Sequence, residues 1–131
     1  MRTIVNNKAV YMPPTVNLSH AVKSNGFIFL MGCGARAVDG DIVGSDIRTQ
    51  TKKCLSNAEA ILAAANAGLK DAIRVTCYLT RIEDVDGFNE VYNEVFKKDP
   101  PARLLLLIKG FRDPRMLVEV EVTARDPEFD G

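Results

Sequence analysis

Apolar and polar positions alternate along this chain in two distinct rhythms. From Ile73 to Thr80, Ile73, Val75, Cys77 and Leu79 alternate with Arg74, Thr76, Tyr78 and Thr80, the period-two signature of a strand with one apolar face. Further strands are predicted over Thr3–Val5, Ser19–Lys23, Phe27–Met31, Arg103–Lys109 and Met116–Ala124. Asn25-Gly26 lies between the second and third as a hairpin turn, since both residues tolerate positive φ. The rhythm turns helical twice. Asp46 is placed to cap a long helix with a stripe through Cys54, Leu55, Ala58, Ile61, Leu62 and Ala65, closed by Gly68. A second helix over Asp84–Phe96 carries Val85, Phe88, Val91, Tyr92, Val95 and Phe96 at helical spacing, and Pro100-Pro101 ends it. Met12-Pro13-Pro14 bars regular pairing, Gly32–Gly44 reads as a polar, glycine-rich loop, and the tail beyond Asp126 is expected to be loose. The order βββαβαββ over residues 1–131 reads as a single α+β domain, one mixed sheet with two helices on one face.

Two helices leave the other face bare. The strand Phe27–Met31 is apolar on both faces, and Arg103, Leu105 and Leu107 share a side expected to lie uncovered. Soluble proteins avoid such a patch, so the second face is expected to pack against other subunits, with Arg103 near a subunit boundary where clefts form.

Composition removes several classes of function. Lys plus Arg equals Asp plus Glu at 17 each, so no net field draws the chain to nucleic acid or anionic membrane. Cys33, Cys54 and Cys77 are too few and too widely spaced for a disulfide framework or a zinc site, and suit a reducing compartment. The single histidine, His20, argues against a histidine-based metal site or a Ser-His triad, and reads as a surface or pocket-wall residue. No apolar run approaches the length needed to span a bilayer, and no signal-peptide core opens the chain, so a cytoplasmic location is expected.

The chemistry sits in the last third. Arg103 and Glu119 are expected on neighbouring strands, where a guanidinium can grip a carboxylate bidentately and a carboxylate can position or deprotonate a water. Glu121 reads as structural, and Cys33 as a buried, inert thiol. Gly34, Gly40 and Gly44 read as turn glycines without the Lys-Ser/Thr ending of a phosphate cradle.

From Ser19 to Ala124 the chain resembles the RidA/YjgF family of enamine/imine deaminases. The resemblance is carried in order by Ala21-Val22-Lys23, Gly32, Ile42-Val43-Gly44, Asn57 with Ala60-Ile61-Leu62, Val75-Thr76 with Leu79-Thr80, Asn89-Glu90-Val91-Tyr92 with Phe96, Pro101-Ala102-Arg103, and Val118-Glu119-Val120-Glu121. It implies a chorismate-mutase-like fold, a homotrimer with intersubunit sites, and hydrolysis of a 2-imino acid to a keto acid and ammonia, with no metal or organic cofactor. It further implies that Arg103 binds the substrate carboxylate, Glu119 positions the water, and the Gly32 backbone contacts the substrate. Asn89 would border the site from a neighbouring subunit.

The departures gather at that site. Where the deaminating branch has tyrosine, serine and commonly glutamine, this chain has Leu18, Met31 and Cys33. Leu104 stands in place of a serine and Leu105 in place of a small residue, and the last loop is longer, with Arg112 and Arg115 as candidates for a second carboxylate. The expectation is a divergent hydrolase acting on a larger, more apolar or dicarboxylic imine. The alternative is a catalytically silent trimer that binds a small acid or hydrophobic ligand between subunits. The ribonuclease label also attached to this family fits poorly with a neutral chain lacking a basic-aromatic patch. No nucleic-acid or membrane partner is expected.

Overall fold

The strand Val118–Arg125 organises the fold. Val118, Val120, Val122 and Ala124 are fully buried, while Glu119, Glu121 and Thr123 point to the opposite face. The computed structural model describes residues 1–131. In chain order the elements are β1 (Arg2–Val5), β2 (Ala21–Ser24), β3 (Phe27–Leu30), β4 (Cys33–Gly34), α1 (Ile47–Ala63), β5 (Ala72–Leu79), α2 (Val85–Val95), β6 (Ala102–Leu107) and β7 (Val118–Arg125). The strands form one sheet in the spatial order β1-β2-β3-β7-β5-β6, and β4 also pairs with β7. Only β5 and β6 are parallel, and α2 supplies the crossover that a parallel pair needs. The α+β architecture is as expected, with β4 as an additional two-residue strand inside the predicted loop.

Local chemistry explains most boundaries. The Asp46 carboxylate accepts the Thr49 N–H at 2.9 Å and opens α1. Asn25 (φ 51°) and Gly26 (φ 89°) make the β2–β3 turn, with Ser24 paired to Phe27. The helix α1 stops before Gly68: Asn66 adopts φ 59° and the Ala67 N–H donates to the Leu62 carbonyl, a left-handed close that glycine was expected to provide. In β5 the register shifts between Ala72 and Arg74, so Ile73 falls in a bulge and is exposed, against its expected place on the buried face. The tail is tied down, since Lys23 pairs with Asp126 at 3.1 Å and with Glu128 at 3.3 Å.

One core joins the helix face of the sheet to both helices. Val75, Cys77, Leu79, Val118, Val120 and Val122 meet Cys54, Ala58, Ile61 and Leu62 of α1, with Phe88, Val91 and Tyr92 of α2. Each fully buried large side chain contributes about 1.5–3 kcal/mol.

The β6 register corrects two expectations. Arg103 lies opposite Val75 and Leu105 opposite Cys77, so both belong to the helix side of the sheet rather than the uncovered face. An arginine is tolerated there because aromatic rings of α2 receive its guanidinium at the sheet's edge. Leu104 and Leu106 take the open face with Phe27 and Phe29, each between 41% and 48% exposed. Secondly, β5 lies between β6 and β7, so Arg103 and Glu119 are not on neighbouring strands.

His20 is buried, not a surface residue. Its Nδ1 accepts the Asn7 N–H at 3.0 Å, so Nε2 carries the proton and donates to the Tyr11 carbonyl at 2.9 Å. These bonds anchor the N-terminal segment that walls the cavity described next.

Candidate active site

Met31 and Gly32 link β3 to β4, and the chain there meets β7, the loop 110–116 and the N-terminal segment around a cavity of about 290 Å³. Leu18, Met31, Gly32, Cys33 and Glu119 line it, joined by Val10, Tyr11, Pro13, Arg36, Phe111, Arg112, Asp113 and Met116. Glycine at position 32 is imposed by close approach, because a Cβ there would overlap the Glu119 carboxylate.

Two buried amides on α1 tie down the loops around the cavity. Gln50 donates to the carbonyls of Gly44 (3.1 Å) and Arg115 (2.9 Å) and accepts the Leu117 N–H at 2.8 Å. Two helical turns on, Asn57 donates to the carbonyls of Gly34 (3.0 Å) and Arg36 (2.9 Å). Buried polar groups of this kind carry their partners with them. Their signal in the sequence is a pair of amides seven positions apart on an otherwise apolar helix stripe.

Glu119 is half-buried, and burial pushes its carboxyl above the usual carboxylate range; Glu121 adds to the shift and Arg36 opposes it. Cys33 is fully buried, as expected, and its thiol is pushed up to about 12 by burial and by Glu119. Asp113 is held down at about 2 by the Arg115 side chain and backbone N–H. Arg115 therefore belongs to Asp113, through contacts of 2.8 and 3.1 Å. Arg36 donates to the Gly40 carbonyl at 2.7 Å and stands 5.7 Å over the Tyr11 ring.

Arg103 stands apart from this cavity. Its guanidinium donates to the Asn89 side-chain oxygen at 2.6 Å and lies 4.7 Å over the Tyr92 ring and 5.6 Å over Phe88. It has no carboxylate partner within the chain, and the buried Tyr92 hydroxyl beside it has no hydrogen-bond partner. Arg103 and Asn89 thus come together on the helix side, whereas Glu119, on the other face of the sheet, lines the cavity with Gly32, Leu18 and Met31, and Cys33, opposite Val120, borders it from the core. Leu105 packs against the core and Leu104 lies on the open face, so the leucine run does not line the cavity. Tyr11, Arg36 and Phe111 were not singled out from the sequence, because they sit in irregular segments without periodicity.

The family described as Endoribonuclease L-PSP matches residues 9–126. The chain belongs to this family, known also as RidA/YjgF. A RutC family protein of Pyrococcus abyssi is 40% identical over 110 residues, 81% of this chain and 84% of that one. The Schizosaccharomyces pombe protein mmf2, named as mitochondrial, is 38% identical over 85 residues, 65% of this chain and 67% of its own. Among solved structures, YyfA of Yersinia pestis, described as a member of the conserved Rid protein family, superposes with a TM-score of 0.90 at 28% identity, covering 95% of this chain and 99% of that one. No helix is long and apolar enough to cross a membrane.

Proposed function

We propose that this RidA/YjgF-family chain is an enamine/imine deaminase-like hydrolase, converting a carboxylate-bearing imine to the keto acid and ammonia as a cytoplasmic homotrimer. The observation that carries this reading is Glu119, a carboxyl set in a cavity against Gly32, with its proton affinity raised by burial. A carboxylate so tuned takes a proton from water more readily than an exposed one. Arg103 supports the reading: Asn89 and the Tyr92 ring hold its guanidinium, and no acid of the chain occupies it.

Because Arg103 and Glu119 lie on opposite sides of the sheet, a site containing both takes the cavity of one copy and the arginine of another. The strand β6 is at the sheet's edge, so Arg103 stands at the rim of the open face. The exposed Phe27, Phe29, Leu104 and Leu106 make that face the natural one for copies to share.

In the reaction, water adds to the imine carbon as Glu119 takes its proton. Glu119 hands that proton to the nitrogen, then takes the hydroxyl proton and passes it to the nitrogen as well, so the carbon–nitrogen bond breaks with its electrons leaving on ammonia as the carbonyl forms. Imine plus water equals keto acid plus ammonia, with no redox change. Holding the acid and orienting one water supplies most of what so electrophilic a carbon needs.

The apolar wall of Leu18 and Met31 favours a larger substrate body than a small polar imine. The same wall supports a second reading, a silent trimer that binds an acid or hydrophobic ligand. Nucleic acid is not the substrate we infer: net charge is zero, and the only histidine is buried with both ring nitrogens engaged. The test is ammonia release from imines made in situ by an amino-acid oxidase from alanine, leucine and phenylalanine. Turnover lost in Arg103→Ala and in Glu119→Ala supports the hydrolase; acid binding without turnover in the wild type supports the silent trimer.

A further inference from the structure

We propose that the cavity holding Glu119 takes a ligand with a second carboxylate, gripped by Arg36 and Arg112. The inference rests on the reading of that cavity as the reaction chamber, and it names the substrate class as a dicarboxylic imine.

Three arginines surround the cavity and its mouth, and their commitments differ. Arg115 is consumed by Asp113, which it contacts at 2.8 Å through Nη2. This removes one of the two arginines that the sequence offered, and also cancels the one acid of the loop. Arg112 lines the cavity with neither an ion pair nor a hydrogen bond. Arg36 enters from a different segment, oriented by its bond to the Gly40 carbonyl and by the Tyr11 ring beneath it. It has no carboxylate partner, and its charge is felt by both Glu119 and Asp113.

Two arginines without acid partners therefore line one cavity, which Leu18 and Met31 line as well. Arginine pairs of this kind match a planar anion through several charge-assisted hydrogen bonds, and a neutral ligand would leave both unanswered. Arg103 is not part of this pair, being on the other side of the sheet. The ligand that satisfies every group has one acid for Arg103 of a second copy, a reactive carbon near Glu119, and a second acid for Arg36 and Arg112.

The test compares two stable keto acids of equal length, 2-oxoglutarate and 2-oxopentanoate, which differ in a carboxylate against a methyl. Calorimetry on the wild-type assembly should give at least about tenfold tighter binding of 2-oxoglutarate, the ratio that one charge-assisted contact supports. That ratio should fall toward one in Arg112→Gln, an exposed and partnerless site where folding is not at stake, and further in Arg36→Gln/Arg112→Gln. Equal affinities in the wild type, binding of neither acid, or a ratio that survives the double substitution would overturn the subsite. Hydrolysis of the imine derived from norvaline is measured alongside. Turnover with equal keto-acid affinities overturns the subsite and leaves the hydrolase standing; a dicarboxylate preference without turnover does the reverse.

Discussion

Replacing Gln50 with leucine keeps the side-chain volume and removes one clamp between α1 and the two loops that frame the cavity. Gln50 is fully buried and makes three hydrogen bonds, to the carbonyls of Gly44 and Arg115 and from the Leu117 N–H. Gly44 and Arg115 are exposed residues, so water can take over at their carbonyls, and each loss costs only the net value of a bond, about 1 kcal/mol. Leu117 is half-buried and packs against the core, so its N–H loses a partner in a drier place, at about 1–3 kcal/mol. The added apolar surface of leucine offsets a part of this, for a net destabilisation of about 2–4 kcal/mol, a large share of the 5–15 kcal/mol of a typical domain. Urea unfolding at one fixed protein concentration measures it, with concentration held because assembly itself adds to stability. The loop 110–116 carries Phe111 and Arg112, so its loosening should also raise KM more than it lowers kcat. A loss below about 0.5 kcal/mol would refute the clamp, since surface changes fall in that range.

Other outcomes follow from the same geometry. Gly32→Ala drives a methyl into the Glu119 carboxylate and should lower kcat about tenfold or more with the fold kept by circular dichroism; wild-type kcat would contradict the close approach. Because the Glu119 carboxyl is raised, the base is present only above its shifted pKa, and kcat/KM should rise with pH through an inflection above the ordinary value of about 4.3. Glu121→Gln removes a neighbouring negative charge and should move that inflection down; no movement would remove Glu121 as a cause. The same shift has a sign for stability: the folded state binds this proton more tightly than the unfolded chain, so stability falls as pH rises from the ordinary to the shifted value. Glu119→Gln should therefore unfold at higher urea than wild type at pH 7, an advantage absent below the unfolded value, while losing turnover; a less stable variant at pH 7 would contradict it.

The sequence was most legible where one physical signal acted alone. The alternation of Val118, Val120 and Val122 with Glu119 and Glu121 marks a strand with one dry face, and Asp46 and Asn25-Gly26 mark a cap and a turn by their chemistry. It was least legible where signals were missing or duplicated. The run Leu104–Leu107 has no polar partner in its alternation, so periodicity could not say which side faced the helices, and the expected face was reversed. Ala63-Ala64-Ala65 favours continuing the helix, and the stop comes from Asn66 alone. The strand β4 is two residues long, too short for any period to show. Half of the candidate site was readable from side-chain type: Glu119, Gly32, Leu18, Met31 and Cys33 meet as a group. Arg103 was singled out as an acid-binding candidate, yet its separation from Glu119 depends on strand order, which places β5 between β6 and β7 and is invisible in the order of residues.

That separation gives the most direct test of the account. Arg103→Ala and Glu119→Gln chains are purified separately, each expected to be inactive, then mixed in equal amounts and exchanged by mild unfolding and refolding. A site built from the arginine of one copy and the carboxylate of another is complete wherever an Arg103→Ala chain lends its Glu119 to a Glu119→Gln chain. Random assembly in a closed ring makes about one quarter of sites complete, so imine hydrolysis should return to about one quarter of wild type. Mixed assemblies verified by native mass spectrometry that stay inactive would contradict a shared site.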